Sequence, residues 1–407
     1  MKSSKLFLLL IILKCGNCTK DQNARPECAL PNNSTTVSIN DILKLGENSS
    51  GDSGTTSIFP CWFNLDLSRT GQIFAQKYYG QILFANVMSL ILLLSDYQTR
   101  RVLFLTQKSE TPDKASKRYL ATAQQIHLWY HSDILSPDWA KSVTNVRKVH
   151  SYASFYVDSL NGTESKLTAT PKENPTGFQP NERLWSAFKL DLGNFDTRTR
   201  PQEFDYSAPK FKFNQYTMAM TIWAFMALPV LNPEPLGIAR PSEKELQGYA
   251  HLWAVIAYAV GTDEQYIFCK DPQIDWQKCK SYLMDLFREH ILPQLMNLDF
   301  EGELMIESML SGISKIIPRY PVDALLINLL EEHLGVRATN LRRQRTLQSR
   351  VFGTIANNFV SRYSNYFRPV RWLAGKAMFA ELQLASRKVF RDFGTNFTVV
   401  ANKHFYS

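Results

Sequence analysis

Apolar residues recur at helical spacing along most of the chain. Runs with this period cover approximately residues 69–94, 113–131, 137–157, 214–231 and 246–261, and others follow near 275–290, 298–315, 320–334 and 340–392. Apolar positions at i, i+3, i+4 and i+7 give a helix one buried face. No alternating series of the kind that indicates strands is found in the sequence. The pattern therefore predicts an all-α fold, a single large helical domain of roughly ten helices.

Local signals indicate where these helices begin and end. Ser136-Pro137 places a capping serine before a proline at the first helical position. Ser242 and Glu245 have the spacing of a capping box, and Gly261 follows the same helix at a position suited to its C-terminal end. The run that ends at Leu231 is stopped by a proline-containing turn.

The first eighteen residues resemble a secretory signal peptide. Lys2 and Lys5 precede an apolar run from Leu6 to Leu13, and small and polar residues follow up to Cys18. Such a run is too short to span a bilayer as a stable helix. We therefore predict a signal peptide at residues 1–18 and a protein that is secreted or lies in the endoplasmic-reticulum lumen. An uncleaved anchor remains the alternative.

Two polar stretches flank or interrupt the helical pattern. Residues 19–58 are rich in Ser, Thr, Asn and Gly and predict a loosely structured, glycosylated N-terminal arm. Residues 159–212 predict a surface insertion that is either poorly ordered or carries short elements of its own. The helical domain then spans residues 59–400. Glycosylation sequons begin at Asn32, Asn33, Asn48, Asn161 and Asn396.

Four cysteines remain beyond the signal region: Cys28, Cys61, Cys269 and Cys279. An oxidising compartment favours disulfides, and four cysteines allow three pairings. We favour Cys269–Cys279, which closes a short loop, together with Cys28–Cys61, which would tie the arm to the domain. Because no CxxC pair remains after processing, a cysteine-rich metal site is disfavoured.

The charge of the chain restricts its partners only partly. The formal charge is +9, and twelve Lys or Arg lie between Arg337 and Arg391. Such a region favours either solvated basic faces or contact with acidic partners and anionic lipid. No aromatic-interleaved basic motif indicates nucleic-acid binding. Apolar runs at 84–95 and 218–231 are short for a membrane span. We expect no nucleic-acid partner and no stable span, and peripheral membrane contact is left open.

Two histidines, His150 and His251, lie within apolar helical segments. A histidine in such a place is either a core residue bonded to a backbone carbonyl or a ligand of a metal or haem. His127 and His131 share one helix face, but no third ligand follows and HExxH is absent, so a zinc site is disfavoured. The sequence contains no GxSxG, Walker A or GxGxxG motif.

Three segments occur in a characteristic order: 118-RYLAT-122, 147-RKVH-150, and 250-AHLWAVIAYAVG-261, the last preceded by 217-TMAMTIWAFMAL-228. Together they resemble the family of the latex-clearing rubber oxygenases and the endoplasmic-reticulum oxygenase of mycophenolic acid biosynthesis. The resemblance is closer to a secreted arthropod branch of that family, which shares the cysteine pair at Cys269 and Cys279. It covers about residues 59–290.

The resemblance implies an all-α fold that encloses one b-type haem, with O2 as co-substrate. His150 would be the iron ligand, and Arg147 would pair with a haem propionate. Arg118 and Thr122 would lie near the haem and its distal side, and they are the catalytic candidates. Arg147, Arg118 and His251 are the candidates for cofactor binding, with His251 either supporting the site or serving the core.

The chain departs from the family at several positions. Ala121 stands where rubber-cleaving members have a lysine that can cap the distal iron. Ala254 and Ala257 stand where arginine and glycine are usual. We expect a haem-dependent oxygenase-like protein that acts with O2 on an apolar isoprenoid-like or lipidic small molecule. The alternatives are a catalytically degenerate protein that binds haem or a hydrophobic ligand, and a haem-free secreted helical protein.

Overall fold

Helices account for nearly all regular structure in the computed structural model, which describes residues 36–160, 168–195, 210–317, 320–357 and 363–391. Within these ranges the fold is all-α, as predicted, and the β pairing is limited to an isolated bridge between Ser50 and Asn214. The helices are α1 (Ile39–Glu47), α2 (Leu65–Lys77), α3 (Tyr79–Ser95), α4 (Tyr97–Leu105), α5 (Pro112–His131), α6 (Pro137–Ser159), α7 (Glu182–Leu192), α8 (Gln215–Leu231), α9 (Glu243–Ala259), α10 (Trp276–Leu286), α11 (Leu292–Met296), α12 (Phe300–Ile316), α13 (Val322–Asn328), α14 (Thr339–Gln344), α15 (Leu347–Asn357), α16 (Ser364–Tyr366) and α17 (Arg368–Arg391).

The helix ends follow the local signals. The side chain of Ser136 accepts a hydrogen bond from the Trp139 amide at 3.2 Å and caps α6. The capping box between Ser242 and Glu245 is present at the start of α9. Gly261 adopts a φ of +107° after the last turn of α9, a conformation that glycine reaches without strain. The structure confirms these three predictions. Each could be made from the sequence because it depends on residues only a few positions apart.

The centre of the fold is a close crossing of α2 and α9. Gly71 and Gly248 meet there, and a Cβ on Gly71 would lie 2.2 Å from the carbonyl oxygen of Gly248. The two backbones can approach because neither position carries a side chain. Around this crossing α3 and α8 are buried along almost their whole length. Side chains of α3, α8 and α9 form the middle of one continuous core.

The domain begins earlier than the sequence predicts. Residues 36–58, predicted as part of a loosely structured arm, contain α1, and Ile42 is fully buried. A Cβ on Gly46 would lie 2.7 Å from the Tyr216 side chain, so α1 lies directly against α8. The described part of the predicted arm is therefore packed into the domain, and that expectation is wrong for these residues. All described residues belong to one unit.

The predicted surface insertion also contains a core element. Residues 182–192 form α7, in which Trp185 and Phe188 are buried. The fully buried carboxylate of Asp191 accepts hydrogen bonds from the amides of Asn340 and Leu341 at 2.8 and 2.9 Å, which fastens α14 to α7. The insertion thus carries an element of its own, but this element belongs to the core rather than to the surface.

The disulfide between Cys269 and Cys279 is confirmed, with a Cα–Cα distance of 5.0 Å. It ties the loop after α9 to the first turns of α10. Asn48 is exposed at the end of α1, where a glycan would have room. The signal peptide and four of the sequons, with Cys28 as the predicted partner of Cys61, lie outside the described residues.

Within the described ranges no single helix has the length and apolar character needed to cross a membrane. The pair α2 and α3 reaches that length and composition together, but the two helices bend by 91° at their junction. Nearly all of α3 lies inside the protein core.

Candidate functional site

The positions of the candidate side chains follow from the register of α5 and α6. The Ser142 hydroxyl of α6 donates to Gln125 of α5 at 2.6 Å and accepts a hydrogen bond from the Trp129 indole at 2.8 Å. The two helices are antiparallel, so two further turns along α6 bring His150 level with Arg118 on α5. The positive charge of Arg118 accordingly lowers the pKa of His150. The sequence motifs around these two residues are thus brought together.

His150 is partly buried and neutral at physiological pH. Burial and the Arg118 charge lower its pKa to about 4, against the opposing effects of the backbone carbonyl of Val260 and the carboxylate of Asp52. The ring lies 5.6 Å from that of Phe213. Its Nδ1 atom is buried and has no hydrogen-bond partner in the described structure. The imidazole thus lies near the Val260 carbonyl, and its Nδ1 atom is available to bind a ligand.

Arg118 is a partly buried cation without a matching carboxylate. Burial lowers the pKa of its guanidinium. Its side chain donates only a long hydrogen bond, 3.5 Å, to the Thr106 hydroxyl, and no carboxylate in the described ranges forms an ion pair with it. A buried charge is costly unless a counter-charge compensates it. The position is therefore suited to an anionic group of a ligand.

Arg147 has a partner that the sequence did not reveal. Its guanidinium donates to both carboxylate oxygens of Asp52, with Nε to Oδ2 at 2.9 Å. This pairing lowers the pKa of Asp52 and raises that of Arg147. Gly261 lies against the pair, since a Cβ there would be 3.3 Å from the Arg147 Nε. Arg147 thus links α6 to the residues before α2, and its guanidinium is already paired with the Asp52 carboxylate.

Asp52 was missed because it lies 95 positions from Arg147, in a stretch predicted to be a loose arm. The local signal was an Asx turn, in which the Gly54 amide donates to the Asp52 side chain at 2.8 Å. Such a turn indicates local order. It does not indicate which distant cation the carboxylate will meet.

Thr122 and Ala121 lie on α5 next to Arg118. The Thr122 hydroxyl donates to the Arg118 carbonyl at 3.1 Å, so its oxygen keeps a lone pair for another donor. Thr122, Ala121 and Gln125 are all partly exposed, although α5 lies within the fold. Ala121 offers no atom that can bind a metal.

Partly exposed positions also occur on the inner helices α3 and α8, where almost every other residue is buried. They are Val87 and Leu90 on α3, and Thr221 and Phe225 on α8. Each pair has helical spacing and so shares one face. Phe225 stacks on Trp253 at 4.7 Å, and the Trp253 indole donates to the Tyr130 hydroxyl of α5 at 3.1 Å. These contacts connect α8 to α5 through Trp253 of α9.

His251 has both ring nitrogens engaged by the backbone. Nδ1 donates to the Lys270 carbonyl at 2.7 Å, and Nε2 accepts from the Asn64 amide at 3.1 Å. Burial lowers its pKa to about 4, so the ring is neutral. The side chain therefore joins α9 to the start of α2 and to the disulfide loop. Neither nitrogen is left for iron or for a ligand.

Ala254 and Ala257, the departures from the family segment, are fully packed in α9, with 0% and 1% exposure. An arginine at either position would place a charge in the core, which is costly without a partner. Their small size is explained by packing in the core.

His127 and His131, the other histidine pair, lie against each other on α5. The rings of His127 and His131 stack with their centroids 4.0 Å apart, and His127 Nδ1 lies 3.1 Å from the Tyr79 hydroxyl. Burial lowers their pKa values to about 3 and about 4. Across the described part of the chain, no group of three His, Cys, Asp or Glu could hold a metal ion. A haem iron needs only one such ligand.

A depression of about 860 Å³ lies away from these residues. Its lining includes Arg337, Arg342, Arg343, Arg345, Arg350 and Glu331. Arg342 pairs with Glu331, and Arg345 lies 3.4 Å from the Asp323 carboxylate. Because part of its charge is compensated and none of the predicted site residues lines it, we do not treat it as the candidate site.

Comparison of the chain with protein-family models, curated proteins and solved structures found no match. The class that the structure shows is therefore an all-α fold, and its candidate site is the pair of the neutral His150 and the partly buried Arg118.

Proposed function

We propose that this chain is a haem-dependent oxygenase-like protein of the secretory pathway that acts with O2 on an apolar isoprenoid-like or lipidic molecule. The observation that carries the proposal is His150, a neutral histidine with one nitrogen that lacks a partner. A histidine that binds a metal typically gives one nitrogen to the metal and the other to a carboxylate or backbone carbonyl. The carbonyl of Val260 is suited to that second role.

The charged residues fit a haem in a way that differs from the sequence expectation. Arg118 is the cation that lacks a carboxylate, so it is the better partner for a propionate. Arg147 is held by Asp52 and has no need of one. A b-type haem bound there would supply an iron that takes up O2. The protein contributes the neutral imidazole, the partly buried cation and the apolar surroundings.

The remaining residues suit an apolar reactant. Val87, Leu90 and Phe225 are partly exposed apolar side chains on otherwise buried helices, and we infer that they line an internal space for such a reactant. The Thr122 hydroxyl is a polar group beside it that can donate or accept one hydrogen bond. Ala121 carries no ligand atom, so a side chain at that position cannot compete with O2. Such a mostly apolar space with few polar groups is typical of small-molecule sites.

The first test is the visible spectrum of the protein produced by a eukaryotic secretory host, beside His150→Ala. We expect a Soret band in the parent that is lost in His150→Ala and restored by added imidazole, because the variant leaves a space of the same shape. His333→Gln is the matched control, since His333 is also enclosed but lies on another helix end. A parent protein without haem, even after reconstitution, would show the proposal to be wrong.

The alternative is a protein that binds haem or a hydrophobic ligand without turnover. It is favoured by Ala121, which removes the family's distal lysine, and by His251, whose nitrogens are both occupied. O2 uptake with unsaturated lipids and isoprenoids separates the two. Uptake that depends on His150 supports an oxygenase, whereas stable haem binding without uptake supports the alternative.

The secretory location is part of the same proposal and has its own support. The disulfide between Cys269 and Cys279 is of a kind that persists in oxidising compartments. Expression of the full chain in animal cells, followed by removal of N-glycans, tests it. We expect the chain to shift in mobility on deglycosylation, and an unglycosylated chain in the cytosol would contradict the proposal.

A further inference from the structure

The longest C-terminal helix, α17, is apolar on two opposite faces. Its inner face packs on α3 and α5: Phe379 stacks on His127 at 4.7 Å, and the Gln124 amide donates to Ser386 at 2.5 Å. At the start of the helix, Ala374 and Gly375 lie against Gly80. A helix fixed in this way needs only one apolar face for folding.

The outward face of α17 nevertheless carries large apolar side chains. Trp372 and Leu373 are 60% and 50% exposed, and Leu384, three turns after Leu373 and on the same side as it, is 59% exposed. Ala377 and Ala380 lie between them and are also exposed. Just before the helix, the aromatic residues Tyr366 and Phe367 are 80% and 55% exposed. Exposed apolar patches of this size mark interaction sites.

Basic residues accompany this face. Lys376 lies over the ring of Trp372, 5.2 Å from its centroid, and Arg387 and Lys388 are exposed at the far end. Arg368 is exposed at the near end, and Glu381 is the acidic residue of the helix. Long basic side chains beside Trp, Tyr and Leu form the composition of surfaces that enter the lipid headgroup region.

We propose that the outward face of α17, with Tyr366 and Phe367, docks on a membrane surface that contains anionic lipid. Apolar side chains enter the boundary between headgroups and acyl chains, and Arg368, Lys376, Arg387 and Lys388 meet the negative headgroups. A second copy of the chain is disfavoured as the occupant because it would bring the same positive charges together. The proposal does not depend on haem, so its failure and that of the proposed function are distinguishable.

The test measures binding of the full-length protein to vesicles. One set contains phosphatidylcholine alone and the other contains phosphatidylcholine mixed with phosphatidylserine, and both are separated from free protein by flotation. We expect the parent to bind the anionic vesicles at least tenfold more tightly, with binding that weakens as salt is added. Absence of binding to both sets, or equal binding to both, overturns the proposal.

Two double variants locate the contact. We expect Trp372→Glu with Leu373→Glu to weaken vesicle binding at least tenfold. The matched control is Leu190→Glu with Ile274→Glu, which changes the charge equally at two exposed apolar positions elsewhere and should change binding less than threefold. An equal loss in both pairs overturns the assignment to α17. Should the first pair fail to fold, as judged by thermal unfolding, Leu384→Glu takes its place.

A charge variant and a mass measurement complete the test. Arg387→Gln with Lys388→Gln removes two exposed cations and should weaken binding to anionic vesicles about tenfold without affecting the fold. Light scattering of the parent reports its mass in solution. A dimer that Trp372→Glu with Leu373→Glu dissociates, in a protein that does not bind vesicles, would assign the face to a second copy instead.

Discussion

The histidines of α6 and α9 lie in similar sequence patterns and in different chemical surroundings. His251 is held on both ring nitrogens by backbone groups, in a helix that is buried from Gly248 to its end. His150 has one nitrogen without a partner, near the partly buried Arg118. The comparison teaches that burial alone does not show which histidine can bind a metal. What separates the two is whether the protein already satisfies the hydrogen-bonding capacity of the ring.

The helices themselves show the same contrast. Every face of α9 is packed beyond its first turns, so substitutions there disturb the core. In α6 the buried residues are confined to its two ends, and Val149, Tyr152 and Phe155 are between 65% and 75% exposed. A helix with faces that do not pack in the core can bind a ligand on one of them without disturbing its packing on the rest of the fold.

The largest effect on stability is expected from removing His251, whose two ring nitrogens are both hydrogen-bonded. His251→Ala leaves the Asn64 amide and the Lys270 carbonyl without a partner and opens a cavity, and it should lower the free energy of unfolding by about 4 kcal/mol. His150→Ala removes a group that has an unsatisfied nitrogen and should cost about 1 kcal/mol in the haem-free protein. Urea unfolding of both variants measures the difference. Equal losses would contradict the distinction between the two sites.

Acid should destabilise the fold through its bonded and stacked histidines. Burial lowers the pKa of His127 to about 3 and that of His251 to about 4, both below the unfolded value of about 6.5. Below that pH the unfolded chain binds protons that the native protein does not, so stability falls as the pH falls. Two such groups give a loss of about 2 kcal/mol between pH 6.5 and 5.5, because each unfolded ring is already half protonated at pH 6.5.

Thermal or urea unfolding across this pH range provides the measurement. The fall should continue toward pH 4 and then level off for His251, because its native form also becomes protonated there. His251→Gln should remove the share of the slope that this ring contributes, about 1 kcal/mol between pH 6.5 and 5.5. A stability that rises on acidification from pH 6.5 would contradict the neutral state of these rings.

A smaller effect is expected at the link between α6 and the chain before α2. Asp52→Asn removes the charge that pairs with the half-buried Arg147 and should cost about 1–2 kcal/mol of unfolding free energy. The exposed pair of Arg69 and Asp133 is the matched control, and Asp133→Asn should cost less than about 0.5 kcal/mol. If Asp52→Asn proves equally mild, Arg147 is free to serve a ligand, as the sequence first suggested.

Much of the fold could be predicted from the sequence. The helical period, the cap at Ser136, the capping box at Ser242 and the glycine at position 261 all operate within a few residues, and the structure confirms each. The disulfide between Cys269 and Cys279 was favoured because the two are close in sequence. The order of the motifs also placed Arg118, Thr122 and His150 together as candidates.

The remaining features depended on contacts between distant parts of the chain. Asp52 reaches Arg147 across 95 positions, and Asp191 of the predicted insertion reaches α14 across 149. A polar composition does not show that a segment such as α1 or α7 will find a core to pack on. Such packing depends on surfaces that exist only once other helices have assembled.

The sequence by itself determined the helical class of the protein and the ends of its main helices, and it named a small set of candidate site residues. Local hydrogen bonds and apolar periodicity suffice for that. Only the tertiary structure decided which of the candidates are already engaged. It satisfies both nitrogens of His251, gives Arg147 a carboxylate and leaves His150 and Arg118 side by side, because a hydrogen bond or an ion pair depends on distances in space that spacing along the chain does not contain.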